Sequence, residues 1–213
     1  MKLRFKKRLL LNYPSIFLLL PDILKVKNYT KQGLVSLKQM YDFIKSIERR
    51  RVGGALVELG CANGGTGALL ARWSQRPTWL FDSFKGLTES DYDKHMINEK
   101  NVRPTKDNVL EALRLSRTEA KVIEGMVEDT VPKHKKEIGP IAILRLDLDI
   151  YEPSKFCLNE LFDQVTPGGY IVIDDYKSWE GSRKALYEFF VERNYNPVIW
   201  DYPFGGRAYI IKQ

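Results

Sequence analysis

The sequence is short of the residues that many catalytic chemistries require. It holds two histidines, His95 and His134, both among lysines in polar segments and neither with a partner at metal-ligand spacing. That argues against Ser-His or Cys-His catalysis and against an imidazole metal site, and both are read as surface residues. Two cysteines, Cys61 and Cys157, exclude a disulfide framework. They are expected as small, partly buried thiols, and an intracellular, cytoplasmic setting fits. No G-x-G-x-x-G fingerprint can be drawn, which disfavours a dinucleotide-dependent oxidoreductase. Low-complexity tracts, internal repeats and helix-turn-helix, zinc-finger or RNP signatures are also missing, so no nucleic-acid partner is expected.

Long apolar runs are scarce as well. The opening MKLRFKKRLLLNYPSIFLLLP has a basic start and an apolar stretch. It lacks a small-residue cleavage site, is interrupted by Asn12 and Pro14, and is too short to span a bilayer. Two readings stay open: a helix that packs on the domain or meets a partner, and a basic-apolar segment whose first twenty residues rest on a membrane surface. Residues 1–29 are set apart on this ground, and 30–213 are read as one domain.

What is present suits a single α/β domain: 213 residues, 44% apolar and 29% charged. The net charge of +7 is concentrated in Lys2, Arg4, Lys6, Lys7 and Arg8 and in Arg49, Arg50 and Arg51. It implies solubility and weak attraction to anionic surfaces.

The pattern predicts helices and strands in alternation. Apolar residues at Leu34, Leu37, Tyr41, Ile44 and Ile47 mark an amphipathic helix within Thr30 to Arg51. A strand, Ala55 to Gly60, runs into the turn Gly60-Cys61-Ala62-Asn63-Gly64-Gly65-Thr66-Gly67 and then a helix, Ala68 to Trp73, the arrangement of nucleotide-binding units. Gly60, Gly64 and Gly65 would let a ligand lie against the backbone. Glu58 at the strand end suits a cationic or hydrogen-bond-donating ligand better than a phosphate. A plain tight turn before a helix is the other reading.

The next strand, Thr78 to Asp82, ends about 20 residues after the turn, where such folds place an acid on ribose hydroxyls. Ser83 adjoins it and opens a polar loop to Glu99. A third strand, Lys121 to Glu124, leads to Gly125, Met126, Val127, Glu128 and Asp129. There Met126 could cover an adenine face and Glu128 or Asp129 accept from its amino group. Equally, the segment could be a helix start capped by Asp129 or Thr130 before Pro132.

The most informative stretch is Ile141 to Tyr176. Two apolar strands, Ile141 to Leu146 and Tyr170 to Ile173, each end in acids: Asp147 and Asp149, then Asp174 and Asp175. A crossover helix from Pro153 to Gln164 and a turn at Thr166-Pro167-Gly168-Gly169 make the strands parallel neighbours. Four carboxylates then meet at one sheet edge, where they repel unless a cation sits among them. Oxygen-only ligands point to Mg²⁺ or a close relative. A helix from Gly181 to Arg193 and a closing antiparallel pair, Tyr195 to Asp201 and Ala208 to Lys212, complete the chain.

VELGCANGGT, LFDSFKGL, GMVEDTVP, LRLDLDIYEPS and VIDDY, in that order, resemble a class I S-adenosylmethionine-dependent methyltransferase. More narrowly, they resemble the macrocin O-methyltransferase family, over about Thr30 to Ile211. The resemblance implies a Rossmann-like, mostly parallel seven-stranded sheet with the last strand antiparallel and helices on both faces. It implies methyl transfer from S-adenosylmethionine to a hydroxyl of a sugar or glycosylated small molecule, with homo-oligomers conceivable. Cofactor contacts are expected from Glu58, Gly60, Gly64, Gly65, Thr66, Asp82, Ser83, Met126, Val127 and Glu128. It implies Asp147, Asp174 and Asp175 as Mg²⁺ ligands, with Asp149 as base and Asp147 beside it in catalysis. Two other readings remain: a catechol-type enzyme acting on an aromatic diol, and a non-enzymatic partner- or membrane-associated module.

Overall fold

A computed structural model describes residues 16–86, 104–201 and 206–213. His95, most of the polar loop after Ser83, the first fifteen residues and part of the connection after Asp201 lie outside the described residues.

The described elements are α1 (Ile16–Val26), α2 (Leu34–Arg49), β1 (Ala55–Leu59), α3 (Gly65–Ser74), β2 (Thr78–Asp82), α4 (Lys106–Ser116), β3 (Lys121–Glu124), α5 (Val127–Ile138), β4 (Ile141–Leu146), α6 (Tyr151–Leu161), β5 (Val165–Ile173), α7 (Glu180–Glu192), β6 (Trp200–Asp201) and β7 (Ala208–Ile211). They build one seven-stranded sheet in the order β3-β2-β1-β4-β5-β7-β6. The first five strands in that order are parallel, and β7 runs antiparallel to both β5 and β6. This is the Rossmann-like sheet, with its last strand antiparallel, that the resemblance implies.

Strand alternation divides the core between the two faces. Val57, Leu59, Leu144 and Leu146 pack with Val131 of α5, Cys157 and Leu158 of α6 and Phe189 of α7. On the opposite face, Leu56, Ala142 and Ile143 pack with Met40, Phe43 and Ile44 of α2 and Leu70 of α3. Leu19, Ile23 and Val26 of α1 join that side through Val109, Ala112 and Leu113 of α4. The amphipathic spacing of α2 therefore has a destination, and its buried stripe includes Leu37, Ile44 and Ile47.

Several boundaries differ from the sequence pattern: α3 starts at Gly65 and not Ala68, and α6 runs Tyr151–Leu161 and not Pro153 to Gln164. Strand β5 starts at Val165 and carries Thr166-Pro167-Gly168-Gly169 inside it, with a register irregularity opposite Ile141 to Ile143. A bulged strand accommodates these residues without a separate turn. Helix α5 begins at Val127 with Met126 at its N-cap, so neither Asp129 nor Thr130 is the cap. The Thr130 hydroxyl instead donates back to the Met126 carbonyl. Finally, only Trp200 and Asp201 of the expected strand from Tyr195 are paired, with β7.

Both cysteines are buried and free. His134, expected at the surface, is half-buried. Its ring lies 5.8 Å from Trp79 and 6.1 Å from Phe81, and its Nδ1 is 2.9 Å from the Thr130 carbonyl oxygen.

Candidate active site: an acidic edge with two buried arginines

The parallel strands β1, β4 and β5 end together. Asp147 N–H donates to the Leu59 carbonyl and Asp174 N–H to the Leu146 carbonyl, each at 2.9 Å. This staggered ladder brings the acids after β4 and β5 onto one edge, beside the glycine turn after β1.

Asp147, Asp149 and Asp175 converge there. One carboxylate oxygen from each lies within 4.8 Å of the others, a spacing that could hold a metal ion. The chain does not stay extended between Asp147 and Asp149, so simple alternation is not what aligns them. Asp149 adopts a left-handed backbone, φ 64°, and Ile150 N–H donates to the Leu148 carbonyl at 2.7 Å. A tight turn swings Asp149 back over the edge, and aspartate tolerates this conformation better than most residues.

Asp174 is engaged differently. Its Oδ1 lies 2.9 Å from Arg145 Nη2 and 2.8 Å from Arg207 Nη2. Its Oδ2 accepts from Gln32 Nε2 at 2.7 Å. The expected ligand set of Asp147, Asp174 and Asp175 is thus not the set that gathers in the structure: Asp149 takes the third place while Asp174 bridges two arginines.

Arg145 and Arg207 are the largest fully buried side chains among the described residues, each 1% exposed. Arg145 pairs with Glu58, with Asp147 at 2.8 Å and with Asp174. Three carboxylates therefore share two guanidinium groups, with Asp149 and Asp175 beside them. Burial raises the Asp175 carboxyl to about 8, with the charges of Asp149 and Asp174 adding to it. Asp149 rises to about 6 by burial, opposed by a hydrogen bond from Asp175. Burial also raises Asp147 well above its ordinary range, against the pull of Arg145. Asp174 alone of the four ends below its ordinary value, because Arg145, Arg207 and Gln32 overcome its burial.

A divalent cation fits these residues. The donors are all carboxylate oxygens, three converge, and Asp175 Oδ2 is buried without a hydrogen-bond partner. An added positive charge offsets the repulsion that holds protons on these acids.

The glycine turn is explained in part by protein neighbours. A Cβ on Gly60, φ 83°, would lie 2.0 Å from the Asp147 carbonyl oxygen. One on Gly65 would lie 2.6 Å from the Tyr29 backbone, whose carbonyl accepts from Gly65 N–H at 2.9 Å. Gly64 faces Val109 of α4. These glycines let chain segments approach one another, which the turn alone did not reveal. Thr66 is buried, and its hydroxyl meets that of Thr30 at 2.9 Å. Glu58 is 1% exposed, so it meets Arg145 and not open space.

Asp82 ends β2 beside the same turn. Its carboxylate accepts from Ala62 N–H at 2.7 Å and Phe84 N–H at 2.8 Å, tying the two loops together. Burial raises its carboxyl, and these N–H bonds oppose the rise. Ser83 is half-buried beside it, and its hydroxyl accepts from Lys85 N–H at 3.2 Å. At the end of β3, Met126 is half-buried, Glu128 exposed and Val127 buried. The residues read as cofactor contacts thus lie along the ends of β1, β2 and β3, with Glu58 and Val127 facing inward.

Sequence reasoning missed Arg145, Arg207 and Gln32 as members of the site. Arg145 had a signal, being the one charge in the apolar run IAILRL. Arg207 and Gln32 had none, because tertiary contacts across 175 residues bring them together.

A seven-stranded sheet of this order with acids and a glycine turn at one edge defines a Rossmann-like methyltransferase fold. The comparisons agree. The O-methyltransferase NovP superposes with a TM-score of 0.79 over 87% of this chain and 82% of that one, at 24% identity. The calicheamicin methyltransferase CalS11 superposes with a TM-score of 0.70 at 20% identity, covering 86% and 80%. In sequence, the 8-demethyl-8-(2,3-dimethoxy-alpha-L-rhamnosyl)-tetracenomycin-C 4'-O-methyltransferase of Streptomyces olivaceus is 27% identical over 179 residues, 76% of this chain and 67% of its own length. The mycinamicin III 3''-O-methyltransferase of Micromonospora griseorubida is 27% identical over 181 residues, covering 76% and 70%. Residues 24–201 match the family model for macrocin-O-methyltransferase (TylF). The chain belongs to that family and is an S-adenosylmethionine-dependent O-methyltransferase. The non-enzymatic reading is thereby set aside.

Proposed function

We propose that this enzyme methylates a hydroxyl of a sugar or glycosylated small molecule, with a divalent cation, Mg²⁺ first among candidates, at the acidic edge. The observation that carries the cation is the convergence of Asp147, Asp149 and Asp175 at an edge where five carboxylates stand against two buried arginines, which pair with three of them. The sugar acceptor is supported by relatives whose names specify a rhamnosyl tetracenomycin and mycinamicin III.

Asp147 and Asp175, common to the expected ligand set and to the observed cluster, would hold the cation. When bound, it would lower the pKa of a coordinated hydroxyl and fix its position. Asp149 accepts the hydroxyl proton, and its carboxyl at about 6 leaves it mostly ionised near neutral pH. Asp174 keeps Arg145 and Arg207 charged and in place. Joining the cation through its Oδ2 would compete with Gln32 for that oxygen.

S-adenosylmethionine would lie along the ends of β1, β2 and β3, between the glycine turn, Asp82 with Ser83, and Met126 with Glu128. Its sulfonium carries a positive charge, which suits an edge with surplus carboxylates. Glu58 acts through Arg145.

The test is methyl transfer from labelled cofactor to a panel of glycosides and catechols, with Mg²⁺ and with a chelator. Transfer to a glycoside hydroxyl that requires the cation is expected. Activity on catechols alone would overturn the sugar reading, and undiminished activity in chelator would overturn the cation.

A further inference from the structure

Helix α1 is apolar nearly all the way round. Ile16, Leu19, Ile23 and Val26 are buried on the domain, where Leu19, Ile23 and Val26 contact α3 and α4. Its outer stripe is apolar too: Phe17 is 54% exposed, Leu18 80% and Leu24 58%, with Pro21 between them on the same face. Its two charges, Asp22 and Lys25, pair with each other at 3.0 Å. A helix hydrophobic on every side is ordinarily buried on every side, but the described residues cover only one side of this one. The remaining exposed large apolar side chains among the described residues lie singly or on the α7–β6 side.

Charge selects the occupant of that stripe. The fifteen residues before α1 carry Lys2, Arg4, Lys6, Lys7 and Arg8 and no acid. Lys25, Lys27 and Lys31 follow from within and just after the helix. Apolar side chains flanked by cations match the boundary of an anionic bilayer, where each nearby Lys or Arg adds electrostatic attraction. A second copy meeting the same patch around a two-fold axis would bring like charges together. No described helix is long and apolar enough to cross a membrane, so the contact would be superficial.

We propose that α1 and the basic segment before it dock this enzyme on an anionic lipid surface. The placement has a consequence for catalysis. Immediately after α1, Tyr29 accepts from Gly65 N–H, Thr30 meets Thr66, and Gln32 holds Asp174 and Arg207. The docked helix thus leads straight into the catalytic edge, which would stand near the headgroups. An acceptor sugar carried on a lipid would reach it there.

The experiment is vesicle co-sedimentation of the full chain with phosphatidylcholine alone and with added phosphatidylglycerol, at low and high salt. The wild type is expected to bind anionic vesicles at least about ten-fold more tightly than neutral ones, and to release in high salt. The double variant L18Q/L24Q changes only exposed positions and is expected to lose about ten-fold or more in vesicle binding. It should keep the wild-type melting temperature. A variant with Lys2, Arg4, Lys6, Lys7 and Arg8 all changed to Gln should lose the preference for anionic lipid. Equal or absent binding to both vesicle types would overturn the proposal, as would unchanged binding by L18Q/L24Q. Self-association in sedimentation velocity that L18Q/L24Q abolishes, without lipid binding by the wild type, would assign the stripe to a second copy.

Discussion

Glu58 and Arg145 stand opposite each other in the β1–β4 register, and their side chains form an ion pair at 1% exposure on both sides. The same guanidinium reaches Asp147 and Asp174, so one buried cation serves three carboxylates. Removing it leaves all three short of a buried counter-charge. R145M is therefore expected to cost about 3–5 kcal/mol, the range for orphaning a buried charge partner. Urea unfolding measures it. A loss below about 1 kcal/mol would mean that the acids can shed their charge without Arg145.

E58Q should behave differently, and its effect should depend on pH. Burial raises the Glu58 carboxyl to about 8, outweighing the attraction of Arg145. Its unfolded value is about 4.3. Between those values the unfolded chain releases a proton that the folded chain retains, so this group's contribution to stability is full below about 4.3 and declines as pH rises towards 8. Glutamine removes that dependence. In metal-free buffer, E58Q should gain stability relative to wild type between pH 5 and pH 8, read as a rising difference in urea midpoints. A constant difference across that interval would contradict the assignment.

Much of the frame was legible because it follows from short-range rules. TWLFD reads as a strand bounded by turn residues and is one, and the apolar spacing of α2 gives its buried face. VIDDY and LRLDLD showed that acids end two neighbouring strands. The division of labour among those acids was not legible. It depends on Arg207 and Gln32, which arrive from opposite ends of the chain, and on a left-handed turn at Asp149 that no residue pattern announces. Glycines were legible as close approaches, but not what approaches them. Gly60 makes room for the Asp147 backbone and Gly65 for Tyr29.

That close approach gives a prediction for G60A. The added methyl would overlap the Asp147 carbonyl oxygen at 2.0 Å, on a backbone with φ 83°. Overpacking and a left-handed alanine together should cost about 2–5 kcal/mol. The displaced atom belongs to a residue of the acidic cluster, so cation binding should weaken along with the melting temperature. Differential scanning calorimetry with and without Mg²⁺ reads both. A variant that melts like wild type would show that the turn after β1 can move away from β4.

Three asparagine substitutions separate the roles of the acids. D149N retains a residue that tolerates the left-handed turn, and it removes the proposed proton acceptor. Turnover should fall by about 100-fold or more, while cofactor affinity by calorimetry stays near wild type. D175N removes a proposed ligand, so its activity should recover partly as the cation concentration is raised. D174N should act chiefly on stability, because Arg145 and Arg207 lose the carboxylate between them at 2.9 and 2.8 Å. Its melting temperature should drop, yet added Mg²⁺ should still raise it. If D174N instead abolishes that rise and D149N preserves it, Asp174 completes the cation's ligands. Its Oδ2, held by Gln32 in this structure, would then turn to the ion.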